Sequence, residues 1–208
     1  MGSSRAPSLA QIEWGSRGLS PELAPVFWVL LAVWVLGECW LQWRRRLPSA
    51  AVDRDAGSKA VLVAAVWLAV GVGLFGSEFL PGLSLGASRN QATVVGLVLM
   101  VAGLGVRWWA VAVLGSAFTV AVGIQVEQKL VVSGPYRLVR HPSYSGSLLT
   151  VIGVALCWAN WLALAALLLP FAAYAYRIQV EERALLTGLG PAYSDYRART
   201  HRLVPWLL

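Results

Sequence analysis

The sequence predicts an all-α, polytopic membrane protein of about five transmembrane helices, and three observations carry that expectation. Of its 208 residues, 58% are hydrophobic and only 13% charged, a share of apolar residues beyond that of soluble domains. The apolar residues fall into runs long enough to cross ~30 Å of hydrocarbon, which takes about 20 helical residues. Eleven Trp and six Tyr supply interfacial anchors for many spans. A formal charge of +7 raises the alternative of a nucleic-acid partner. The basic residues, however, sit at the ends of apolar runs, where they orient spans and contact headgroups.

Residues 1–24 read as a polar N-terminal tail, 25–114 as the first three transmembrane helices and 115–208 as the core that carries the site. Residues 1–24 have no secretory-leader pattern, because the first apolar run ends in Arg44-Arg45-Arg46 and not in a small-residue cleavage site. Span one is Pro25 to Trp43, with Glu38 in its last third, where a carboxylate reaches the interface or pairs with an arginine. Residues 44–59 form a short basic loop. Span two runs from Lys59 to Leu80 and offers Gly71, Gly73 and Gly76 for close helix contact, with Glu78 expected in the interface. Span three, Gln91 to Leu114, has a packing face at Gly96 and Gly103 and a belt at Trp108-Trp109. Its Arg107 is costly in lipid and must face protein or water, either as an anchor or as support for a site.

Residues 115–146 are too polar to cross, and within them Gly134 to Gly146 is a turn-forming island. Pro135 and Pro142 interrupt regular helix and bias the residues before them towards extended backbone. Irregular backbone at membrane depth is tolerated only where protein or a watery cavity satisfies it, so this island is the best candidate for a site. Span four, Gly146 to Trp161, and span five, Leu162 to Arg177, follow a tight turn at Asn160-Trp161. The last helix continues past the membrane through Glu181 and Leu185 and ends at Gly188 and Gly190-Pro191. Residues 192–208 form an amphipathic interfacial cover.

Most Lys and Arg lie in 44–59, 115–146 and 177–208, so the positive-inside rule places the N-terminus outside and the C-terminus in the cytoplasm. The island and the charged end of span five then share the cytoplasmic side. On that helix Tyr174, Arg177, Ile178, Glu181 and Leu185 line one face. Arg177 can hold an anionic head with its fork of donors, Glu181 an ammonium or ribose hydroxyls, and tyrosine faces a sulfonium or ammonium cation. With only Cys39 and Cys157 present there is no disulfide framework or cysteine metal motif, and no metal is expected. Residue patterns reach a membrane-embedded site for a polar, partly cationic ligand near lipid; a non-catalytic lipid-binding or transport protein remains the other class.

Three ordered blocks narrow this further: Gln128 to Tyr136, Arg140 to Gly146, and Glu181-Glu182-Arg183-Ala184-Leu185. With Arg107-Trp108-Trp109-Ala110, Leu114-Gly115 and Arg202-Leu203-Val204-Pro205, they resemble the isoprenylcysteine carboxyl methyltransferase family and its phospholipid methyltransferase relatives. The resemblance covers roughly the C-terminal half. It implies S-adenosyl-L-methionine in a cytoplasmic-side pocket and methyl transfer to a lipophilic acceptor reached from the lipid. By this resemblance Gln128, Lys129, Leu130, Val131, Tyr136, His141, Pro142, Ser143, Tyr144 and Glu181 contact the cofactor. Arg177 is by the same resemblance the substrate-side and catalytic residue. The chain departs from many relatives at Gly123, where a glutamine is common shortly after the Phe-Thr pair; Gln125 lies close by.

A carboxylate acceptor is ionised at neutral pH and needs no base, whereas an amine or thiol must lose a proton, so a carboxylate fits best. Phospholipid-amine N-methylation and small-thiol S-methylation are the alternatives. High Ala, Gly and Arg with two Lys point to a bacterial inner membrane and hence to a small lipophilic acceptor. Oligomeric state stays open.

Overall fold

The computed structural model describes residues 19, 22–44, 52–86, 89–118, 123–124 and 130–205. Helices α1 (Ala24–Arg44), α2 (Ser58–Phe79) and α3 (Arg89–Leu114) are each long and apolar enough to cross a membrane, as is the joined segment Trp161–Leu189. A shorter apolar helix, α4 (Pro142–Cys157), makes the fifth. The expected all-α membrane fold of about five helices is thus the one observed.

The joined segment is two helices, α5 (Trp161–Ala166) and α6 (Leu168–Leu189). Pro170 explains the break at Leu167: it has no N–H to give to the carbonyl of residue 166, and its ring crowds that carbonyl. Asn160 starts α5 by accepting a hydrogen bond from Leu162 N (2.8 Å). Gly190, at φ 55°, stops α6 as expected. Pro191 then opens α7 (Pro191–Arg199), outside the spans.

Two boundaries differ from the sequence reading. Span four starts at Pro142 and ends at Cys157, because proline at the first helical position needs no donor and His141 serves as its N-cap residue. Glu78, expected at the interface, lies in the last turn of α2 and is buried against protein. The end of α2 is covered by the α4–α5 turn, where Asn160 Nδ2 donates to the carbonyls of Gly76 (3.0 Å) and Leu80 (3.3 Å).

Small residues set the closest helix contact, between α3 and α4. A Cβ at Gly103 would lie 2.6 Å from the Gly146 carbonyl, and one at Gly146 would lie 2.5 Å from Arg107 N. Gly96 meets Gly153 in the same way higher up. This seam brings Arg107 of α3 directly onto the island. On α2, Gly73 and Gly76 accommodate Trp158 and Asn160, whereas a Cβ at Gly71 would meet open space among the described residues. A two-residue antiparallel pair, β1 (Val52–Asp53) with β2 (Gly123–Ile124), ties the first loop to the central polar segment.

The C-terminal segment straps the island. Arg140 N donates to the His201 carbonyl (2.7 Å), His141 N to that of Arg202 (3.0 Å), and His201 N to that of Leu138 (3.1 Å). From α7, the Tyr196 hydroxyl donates to the Tyr136 carbonyl (2.8 Å). The expected cover is therefore a bound strap that satisfies the irregular backbone of the island.

Candidate functional site

A cavity of about 240 Å³ lies between these elements. Its polar end is formed by the island, α6 and α7, with His141, Tyr144, Arg177, Glu181 and Tyr193 in the wall. Its other end lies between α1 and α2, lined by residues such as Val35, Leu62 and Val66.

Tyr144, in the first turn of α4, sits at the centre. Its hydroxyl donates to Glu181 Oε2 (2.6 Å) and accepts from Arg177 Nε (2.9 Å). Its ring stacks on His141 at 5.5 Å and 3° between planes, packs against Tyr174 at 5.3 Å, and has the Arg177 guanidinium 5.8 Å from its centroid. Arg177 and Glu181, whose spacing suggested a simple pair, are joined through this hydroxyl. Arg177 Nη1 reaches away to Asp55 Oδ1 (3.0 Å) and Ser58 Oγ (3.0 Å). Asp55 also accepts from Ser58 Oγ (3.2 Å) and Lys59 N (3.0 Å), fixing the start of α2. The guanidinium, 3% exposed as a residue, is therefore held on several sides before any ligand arrives.

The second acidic residue of the pair, Glu182, is a hub. It accepts from Arg140 Nε (3.0 Å) and Arg202 Nη2 (3.2 Å), and His141 Nε2 lies 3.5 Å away. This knot joins the island, α6 and the strap. On the far side of the island, Arg107 binds both carboxylate oxygens of Glu38, with Nη2 2.6 Å from Oε2. Its Nη1 donates to Ser143 Oγ (2.7 Å). Arg107 is thus both anchor and site support, and Glu38 takes the arginine partner expected of it.

Charge is unevenly compensated. Asp55, Glu38 and Glu182 each have an arginine. The ionic contact of Glu181 is His141 Nδ1 at 3.7 Å, and its side chain is 30% exposed towards the cavity. A partly solvated carboxylate flanked by tyrosine rings suits a cationic ligand group. A further polar atom in this wall, the Tyr193 hydroxyl, is buried without a hydrogen-bond partner among the described residues, so a ligand with polar atoms can satisfy it. The donor set thus fits a molecule carrying hydroxyls and a positive centre. Outside the spans, burial pushes the Tyr136 hydroxyl well above the usual tyrosine range and that of Tyr196 up to about 12. Both stay neutral donors at physiological pH.

Of the residues singled out from sequence, Leu130, Val131, Tyr136, His141, Tyr144, Arg177 and Glu181 all line the cavity. Pro142 and Ser143 are buried behind it, as helix start and as partner of Arg107. Gln128 and Lys129, like Gln125, lie outside the described residues. Asp55, Ser58, Arg140, Tyr193 and Arg202 went unassigned. Asp55 is 122 positions from its partner and sits in a stretch whose composition reads only as a basic loop. Among the described residues no group of three His, Cys, Asp or Glu side chains could hold a metal.

Fold and site together define an integral-membrane protein with one cavity shared between a polar, partly anionic end and an apolar arm. Comparison with known proteins makes this specific. A family model described as phospholipid methyltransferase matches residues 91–190. A probable protein-S-isoprenylcysteine O-methyltransferase of Oryza sativa subsp. indica is 35% identical over 116 residues, 54% of this chain and 61% of the relative. Protein-S-isoprenylcysteine O-methyltransferase B of Arabidopsis thaliana is 34% identical over 132 residues, 62% of this chain and 66% of the relative. A methanethiol S-methyltransferase of Mycobacterium tuberculosis is 29% identical over 201 residues, 93% of this chain and 68% of the relative. Among solved structures, the eukaryotic intramembrane Ras methyltransferase isoprenylcysteine carboxyl methyltransferase matches with TM-score 0.56 and 25% identity over 73% of this chain and 53% of that one. The family model, the plant relatives and the solved structure together support the isoprenylcysteine carboxyl methyltransferase and phospholipid methyltransferase family for this chain. The matches to the plant relatives span 61% and 66% of those proteins' length.

Proposed function

We propose that this chain transfers a methyl group from S-adenosyl-L-methionine to the carboxylate of a lipophilic acceptor. The observation that carries the reading is the continuity of the cavity, from the Tyr144–Arg177–Glu181 cluster to the apolar wall between α1 and α2. The cofactor's holders are Leu130, Val131, Tyr136, His141, Tyr144 and Glu181, with Pro142 and Ser143 behind them and Gln128 and Lys129 beyond the described residues. Residues 115–208 supply the cofactor-side groups and Arg177, and Asp55, Ser58 and the α1–α2 arm complete the site. S-adenosyl-L-methionine, when bound, supplies an electrophilic methyl group on a sulfonium.

The chain's own residues do the rest. Glu181 accepts hydrogen bonds from ammonium or ribose hydroxyl donors, and the rings of Tyr144 and Tyr174 offer π faces to positive charge, worth about 0.5–2 kcal/mol. Arg177, held by Asp55, Ser58 and Tyr144, orients the acceptor carboxylate. A carboxylate is already ionised at neutral pH, so no proton has to be moved. Catalysis is then orientation plus exclusion of water. The apolar arm receives the hydrocarbon part of the acceptor from the bilayer. Basic residues clustered near the site favour a cytoplasmic-side site with the N-terminus outside, and the Ala-, Gly- and Arg-rich composition with two Lys favours a bacterial inner membrane.

One observation favours a second reading. The methanethiol S-methyltransferase aligns over 93% of this chain, spans one and two included, and a small thiol would need a base, for which His141 and the glutamates are the candidates. Incubating detergent-purified protein with methyl-labelled S-adenosyl-L-methionine and, separately, an S-prenylated cysteine, oleate and methanethiol decides between them. Base-labile label on a lipophilic carboxylate supports the first reading. Label on methanethiol alone supports the second.

A further inference from the structure

The arm between α1 and α2 has two unlike walls. From α2, Leu62, Val63, Val66 and Trp67 face it, all apolar, with Lys59 at the start of the helix. From α1 the lining is mixed: Trp34, Glu38 and Gln42, spaced at four residues along one face, stand beside Val35 and Cys39. A hydrocarbon tail alone has no use for that second wall.

Trp34 sharpens the contrast. It is 6% exposed, and its Nε1 has no hydrogen-bond partner among the described residues. Its ring is stacked with Trp67 at 6.4 Å between centroids, which occupies a face and leaves the N–H in the ring plane unused. A buried donor left unpaired costs about 1–3 kcal/mol, and at the wall of a cavity a ligand oxygen removes that cost. One turn along α1, Glu38 is 29% exposed on its side chain and held by Arg107, so the ion pair is open to a ligand on one side. The depth is fixed by α2. Ser58 lies beside Arg177 and Trp67 beside Trp34, nine residues further on, or about 13 Å along the helix.

We propose that Trp34 Nε1, beside the Glu38–Arg107 pair, forms a second polar subsite that takes an oxygen-bearing group in the middle of the acceptor's chain. This rests on the reading that the α1–α2 arm receives the acceptor's tail while Arg177 holds its carboxylate. It assigns the acceptor to mid-chain oxygenated lipids, such as hydroxy or oxo carboxylates, in preference to bare prenyl or alkyl acids.

Ricinoleate and oleate, which differ by one mid-chain hydroxyl, test this by calorimetry on the detergent-purified protein. Wild type is expected to bind ricinoleate about tenfold more tightly. Trp34→Phe should bring ricinoleate to the oleate level and leave oleate within about twofold. Equal affinities in wild type, or a preference that survives Trp34→Phe, would overturn the subsite. The wild-type comparison stands even where the variant does not fold. S-adenosyl-L-methionine titrated into the same preparation keeps the two proposals apart. Its failure to bind, with the ricinoleate preference intact and sensitive to Trp34→Phe, removes methyl transfer and supports the subsite.

Discussion

Arg177 and Glu181, one turn apart on α6, are joined through the hydroxyl of Tyr144, which accepts from the arginine at 2.9 Å and donates to the glutamate at 2.6 Å. One neutral group thereby fixes the residue assigned to the acceptor and the one assigned to the cofactor. Tyr144→Phe keeps the stack on His141 and removes only this link. It should weaken both S-adenosyl-L-methionine binding and the KM for the acceptor by about tenfold each, since each partner loses one charge-assisted hydrogen bond. Calorimetry and steady-state methyl transfer read the two effects separately.

Asp55 touches Arg177 and Ser58 at the start of α2, and acts as a positioning residue. Asp55→Asn keeps the shape and removes the charge. Cofactor affinity should stay within about twofold, while kcat/KM for the acceptor falls on the order of tenfold, the size of a hydrogen bond to a charged group. Equal losses in both would mean that Asp55 supports the fold alone.

Glu182 predicts a stability effect and not a catalytic one. Removing it leaves Arg140, whose side chain is 7% exposed, without its carboxylate, a loss on the order of 3–5 kcal/mol. Arg202, with a side chain 43% exposed, shares the same carboxylate, and its loss should cost at most about 1 kcal/mol. Thermal melts of Glu182→Ala and Arg202→Ala in detergent should therefore separate clearly, with the strap released only in the first.

The raised Tyr196 hydroxyl gives a pH dependence with a definite sign. Its ordinary value is 10.0 and burial raises it to about 12 in the fold, so the folded state holds the proton more firmly. That stabilisation is complete below pH 10 and is lost as pH rises from there to about 12. Melting temperature should fall across this window, and Tyr196→Phe should flatten the fall.

Much of this arrangement was legible from residue pattern. Two prolines and two glycines in a polar stretch marked the island, because such backbone has to be satisfied by something other than helix. The run of helix past the membrane to Gly190 followed from the spacing of Tyr174, Arg177 and Glu181. What stayed hidden was pairing between elements. Asp55 with Arg177 and Glu182 with Arg140 and Arg202 depend on how helices dock, and helix periodicity carries no signal for docking. Arg107 was marked by its cost in lipid, and Glu38 stood out for the same reason. Their partnership could be anticipated in kind, while the contact of Arg107 with Ser143 could not. Tyr144 as the mediator between Arg177 and Glu181 was likewise invisible, since spacing alone suggests a direct pair.

The most direct test of the account is titration of S-adenosyl-L-methionine into detergent-purified wild type and Glu181→Gln. Glu181 is the cavity carboxylate whose ionic contact is a histidine at 3.7 Å and no arginine, so its neutralisation should spare the fold. The account predicts saturable wild-type binding, weakened in the variant by at least about tenfold with little change in melting temperature. No binding to folded wild-type protein, or equal binding by the variant, would contradict it.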